Sequence, residues 1–187
     1  MDRAVAVEQM HQWVESPSLR RHCYTVEHVM RCAATCYGGP GADVDQWGVA
    51  GLLHDADYEK FPDEHPRRIV AWLRERGEEE IAHAVECHAP FLNVPCQTLL
   101  DKALFACDEL TGLIVAFALM RPDGVMTMET SSAMKKFKDK KFAAGVNRDD
   151  VVAGAQMLGV ELPDHVGFVI GALREKAAEF DLAGRKA

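Results

Sequence analysis

Val44-Asp45-Gln46-Trp47-Gly48-Val49-Ala50-Gly51-Leu52-Leu53-His54-Asp55 is the stretch that decides the architecture. Apolar residues surround it on nearly every side of a helical wheel, which marks a helix buried all round. Such a helix needs neighbours on every flank. It also ends in an imidazole and a carboxylate, and a carboxylate delivered into a core is costly unless something pairs with it. The rest of the chain must supply both the surrounding layers and the partners.

Outward from this segment, apolar residues recur at three and four, not at two. Ser16-Pro17 reads as a cap followed by proline at the first helical position. Gly38-Gly39-Pro40-Gly41 closes that helix, and Asp43 or Asp45 opens the next. Pro62 and Pro66 bracket another start; Gly77, Pro90, Pro95 and Arg121-Pro122-Asp123-Gly124 divide the remainder of the chain. The pattern predicts helices over roughly 3–15, 18–37, 43–56, 64–76, 78–88, 97–120, 129–139, 148–158 and 163–181. There is no alternating strand pattern, repeat or low-complexity segment, and Gly184 to Ala187 reads as a loose tail. The expected fold is all-α, a single domain over residues 1–187.

Bulk properties narrow the function. A net charge of −8, with 48% hydrophobic and 27% charged residues, fits an ordinary globular protein. It argues against extended nucleic-acid binding, which needs a dominant basic surface. Met1 to Glu15 lacks the apolar run of a signal peptide. Leu110 to Met120, the longest strongly apolar stretch, is shorter than the ~20 residues a membrane span takes, so no membrane partner is expected. Cysteines at 23, 32, 36, 87, 96 and 107 show no CxxC spacing. They read as reduced, mostly buried thiols of a cytoplasmic protein, and the spacing speaks against a thiolate metal site.

Placing each His and Asp on its wheel separates inward from outward groups. His22 lies on the face of Leu19, Cys23, Val26 and Met30, whereas His28 points the opposite way, toward solvent. His65 shares a face with Ile69, Trp72 and Leu73; His88 aligns with Ile81 and Val85, while His83 points away. Asp108 shares its face with Leu104, Thr111 and Val115. Five helices each send a metal-capable side chain inward. A lone His-Asp dipeptide arises by chance in a chain this rich in both residues. The specificity comes from the ordered set His22, His54-Asp55, His65, His88 and Asp108.

That set resembles the HD-domain superfamily of metal-dependent phosphohydrolases. The matching segments are Arg21-His22-Cys23-Tyr24-Thr25-Val26, Ala50-Gly51-Leu52-Leu53-His54-Asp55 and Ala106-Cys107-Asp108-Glu109-Leu110. Two further family positions, used where a second metal is bound, match His65 and His88. Lys135-Lys136-Phe137-Lys138-Asp139-Lys140 through Arg148 looks like a bacterial HD-hydrolase subgroup of unassigned substrate. The resemblance implies an HD-type helical bundle, with a metal-binding core at about 18–115 and a helical extension at about 125–182. It implies one ion held by His22, His54, Asp55 and Asp108. It also implies a second held by Asp55, His65 and His88. Imidazole and carboxylate without thiolate suit Mn, Fe, Zn, Ni or, with more oxygen ligands, Mg.

Hydrolysis also needs proton transfer and phosphate binding. Asp57, Glu59 and Asp63 follow the His-Asp pair closely and, with Asp55, are the catalytic candidates. Tyr58 stands where guanosine tetraphosphate hydrolases carry Glu, and Ala89-Pro90-Phe91 replaces the Gly-Tyr-Pro of cyclic-di-GMP phosphodiesterases. Arg21 and Arg68 flank two of the histidines. Lys135, Lys136 and Lys138 begin a run of five lysines in seven residues. These cations are candidates for binding a small phosphate-containing substrate, although a lysine run is also the ordinary solvated face of a helix. Two other readings compete: a di-iron oxygenase of the same superfamily, and a non-catalytic module that keeps the metal for stability.

Overall fold

The computed structural model describes residues 1–184, so the final residues of the expected tail lie outside the described part. Among the described residues the chain is all helical: nine α-helices, one 3-10 turn at Pro90–Leu92 and no strand. The helices are α1 (Arg3–Trp13), α2 (Pro17–Tyr37), α3 (Val44–Leu53), α4 (Arg67–Arg74), α5 (Glu79–Cys87), α6 (Leu99–Met120), α7 (Thr130–Phe137), α8 (Arg148–Leu158) and α9 (Leu162–Glu175). They divide into two compact units, Met1–Phe105 and the chain from Ala106 onward, with the boundary inside α6.

Local sequence explains where the helices begin. The Ser16 hydroxyl accepts the Leu19 amide with Pro17 at the first position, and Asp43 accepts the amides of Asp45 and Gln46. Asn147 caps α8 in the same way, and Gly159 ends it in the left-handed conformation at φ 71°. In the first unit, α3 packs against α1, α2 and α5, as a helix apolar all round requires. Gly51 sets the closest approach. A Cβ there would stand 2.8 Å from the Val26 carbonyl oxygen and 2.9 Å from Met30 Cγ. The missing side chain lets α3 lie directly on the α2 backbone. Leu52 and Leu53 are fully buried behind it, each worth about 1.5–3 kcal/mol relative to exposure. Buried Glu27 on α2 receives Arg3 Nη2 at 2.8 Å and Arg31 Nε at 3.3 Å.

In the second unit, α9 packs with α7 and α8. Arg174 donates to the carbonyls of Val125 and Met128, and Arg148 gathers the carbonyls of Phe137, Phe142, Ala143 and Val146. The lysine run begins on α7 with Lys135 and Lys136 and continues into that turn. Lys135 and Lys138 are exposed, while Lys136 pairs with Asp139 at 3.0 Å and lies over the Phe142 ring.

Several expectations need correction. Helix α4 starts at Arg67, so His65 lies in the turn before it. His28 is buried, not solvated, with Nε2 3.8 Å from Cys32 Sγ. His83 is not free in solvent either: its Nδ1 lies 3.0 Å from Asp101 Oδ2. The apolar stretch of α6 also extends further than Leu110 to Met120. Leu99–Met120 is long and apolar enough to cross a membrane by length and composition, but 61% of its most apolar window is buried. Burial of that kind is what a core helix shows.

Candidate metal centre

Two helices of the first unit end in the same way. His54 is the C-cap of α3, and its Nδ1–H donates to the Gly51 carbonyl at 2.8 Å. His88 is the C-cap of α5, and its Nδ1–H donates to the Val85 carbonyl. Each imidazole thus satisfies a carbonyl that the helix end leaves without an intrahelical partner. His65 is fixed differently: its Nδ1–H donates to Asp57 Oδ1 at 2.7 Å. All three contacts put the ring proton on Nδ1, which leaves Nε2 as a lone pair directed away from its support.

The Nε2 atoms of these rings and of His22 gather around Asp55. Its Oδ2 lies 3.5 Å from His54 Nε2 and 3.6 Å from His22 Nε2. Its Oδ1 lies 3.5 Å from His65 Nε2 and 3.7 Å from His88 Nε2. One carboxylate therefore offers a separate oxygen to each of two histidine pairs. The Nε2 atoms of His22 and His54 are 3.1 Å apart. Two ligands held at ~2.0–2.1 Å by one ion stand roughly 3.0–3.4 Å apart. His54 is fully buried, His65 and His88 nearly so, while Asp55 keeps 19% of its side chain exposed.

This donor set fits a cation. Imidazole nitrogens grouped with carboxylate oxygens, and no thiolate among them, are the donors that suit a divalent ion. Within this cluster the groups able to hold an ion are His22, His54 and Asp55, and Asp55, His65 and His88.

The other expected residues occupy different positions. Asp57 belongs to this neighbourhood but is fully buried; its Oδ2 accepts the Ile69 amide at 2.9 Å. With both oxygens engaged, it is an orienting group behind His65, not a group on the open side. Glu59 is exposed and accepts the backbone amides of Glu15 and Ser16, which ties down the start of α2. Asp63 is exposed in the turn before α4. Arg21 is half-buried beside His22, and Arg68 pairs with Glu64 at 2.8 Å. Asp108 is half-buried on α6 within the second unit, which also carries Lys135, Lys136 and Lys138. Tyr58 has no role that its sequence position suggests, yet its ring meets His65 edge-on at 5.3 Å and is 54% exposed.

A family model for the HD domain matches residues 19–113, just over half of the chain, and the protein belongs to the HD-domain family. Members are in general metal-dependent hydrolases that bind divalent ions, and this chain's His/Asp groups are compatible with such ions. The match ends within α6, so α7, α8 and α9 lie beyond it. No curated protein and no solved structure matches the chain.

Proposed function

We propose that this protein is a phosphohydrolase that cleaves a small phosphate ester, such as a nucleotide, with the Asp55 cluster as its two-ion centre. The observation that carries the reading is the division of labour at Asp55: Oδ2 serves His22 and His54, and Oδ1 serves His65 and His88. Divalent ions bound there would polarise a phosphoryl oxygen and lower the pKa of a coordinated water from ~16 to ~7.

The chain's own residues do the positioning. The Gly51 and Val85 carbonyls and the Asp57 carboxylate hold three imidazoles in one tautomer, so no ring has to reorient during turnover. The partial exposure of Asp55 leaves one side of the cluster open for substrate. Arg21, next to His22, and Arg68, three residues after His65, are the candidate cations for phosphate in this unit.

The test is phosphate release from a panel of phosphomonoesters and nucleotides by protein reconstituted with Mn or Zn. Release that is lost in His54→Ala supports the reading. Turnover with redox-inert Zn in the absence of oxygen excludes the oxygenase alternative. No release with any metal, from a protein whose melting temperature falls when metal is removed, would favour the non-catalytic module.

A further inference from the structure

We propose a second, separate metal site in the first unit, formed by His83, Cys87, Cys96 and Asp101 and suited to a thiophilic ion of the zinc class. His83 and Cys87 stand four apart on α5 and so share one face of that helix. Asp101 comes from the first turn of α6, and Cys96 from the segment between the two helices. Donor atoms of His83, Cys87 and Asp101 all lie within 4.8 Å of one another. The Cys96 Sγ is 3.1 Å from the Cys87 Sγ, and both are free cysteines.

Asp101 supplies the independent sign of a ligand site. It is 1% exposed, its Oδ2 accepts the amides of Gln97 and Thr98 and faces His83 Nδ1 at 3.0 Å, and its Oδ1 is buried with no hydrogen-bond partner. A buried carboxylate oxygen left unpaired is costly. A disulfide between Cys87 and Cys96 would leave that oxygen unpaired, whereas a divalent ion engages it together with the imidazole and both sulfurs. Two thiolates with one nitrogen and one oxygen form a closed tetrahedral set of the structural type. Binding releases the two thiol protons to solvent, and the sulfurs part to about 3.8 Å, the edge expected for Zn–S bonds of ~2.3 Å. The His83 side chain is 25% exposed, which gives the ion a route in. Since Cys87 directly precedes His88, such an ion would clamp the end of α5 that carries this proposed ligand.

Cobalt(II) titration of the reduced apoprotein tests the site, because thiolate-to-cobalt charge transfer in the near ultraviolet arises only where sulfur is a ligand. The Asp55 cluster has no sulfur, so the two centres are distinguishable. The expected result is a charge-transfer band that saturates at one equivalent, persists in Asp55→Asn and disappears when Zn is added. Cys96→Ser, which alters the half-buried sulfur and leaves buried Cys87 in place, lowers the band to about half or less while far-ultraviolet circular dichroism stays unchanged. The proposal is overturned if the folded, reduced protein shows no such band, if Cys96→Ser keeps the band at full intensity, or if freshly isolated protein holds a Cys87–Cys96 disulfide and no metal.

Discussion

Asp57 holds His65 from behind, with Oδ1 accepting the imidazole Nδ1–H at 2.7 Å and Oδ2 accepting the Ile69 amide at 2.9 Å. An Asn at this position has a single acceptor oxygen, so one of the two contacts must be lost. Asp57→Asn is expected to weaken the ion shared by His65 and His88 by about 10–100-fold, the usual effect of removing a supporting partner. The ion shared by His22 and His54 should be retained. Manganese titration followed by equilibrium dialysis separates the two affinities, and unchanged binding at both would refute the orienting role.

Gly51 governs how closely α3 lies on α2. A methyl group there meets the Val26 carbonyl at 2.8 Å and the Glu27 amide nitrogen at 3.0 Å, and neither backbone atom can move alone. Gly51→Ala is therefore expected to lower stability by about 1–3 kcal/mol through overpacking. Gly41→Ala is the control, since nothing lies within 4 Å of its added Cβ, and it should change stability by less than about 0.5 kcal/mol. Urea midpoints of the two variants decide the matter; equal midpoints would contradict the close-approach argument.

The helical plan is legible in the sequence because apolar periodicity reports directly on burial. All nine predicted helices are present among the described residues, with ends displaced mainly where the chain leaves a helix for a turn, as around His54 and His65. His22 on α2 and His88 at the end of α5 are legible for the same reason, whereas His65 reaches the cluster from a turn. Most of the groups that periodicity misses meet partners outside their own helix. His28 and His83 lie off the apolar stripe of their own helices, so a wheel places them in solvent; His28 is buried, and His83 meets Asp101. Asp57 sits in a turn, where no wheel applies, and Cys87 meets Cys96 across a connection that a local spacing rule does not test. For His83, Asp57 and Cys87 the decisive contact reaches across a turn or between elements.

His165 makes stability depend on pH. It is fully buried in the second unit, with Nε2–H donating to the Ala106 carbonyl at 3.0 Å and its ring stacked with Phe168. Burial holds its pKa below the ordinary imidazole value, and the bond to Ala106 opposes this only in part. The unfolded chain binds the proton more readily, so this contribution is complete above the unfolded pKa of ~6.5 and is lost as pH falls below it. Between about pH 7.5 and about pH 5.5, the urea midpoint of His165→Gln should fall less than that of the parent. An equal or larger fall in the variant would show that His165 does not carry the effect.

Asp55 as a carboxylate shared between two cations is the central claim, and electron paramagnetic resonance of the manganese-loaded protein examines that sharing directly. Manganese suits the nitrogen–oxygen cluster and is a poor match for the proposed sulfur site. The predicted result is two bound ions per chain with an exchange-coupled spectrum, and loss of the coupling in Asp55→Asn. A spectrum of isolated ions only, or no bound manganese at all, would contradict it.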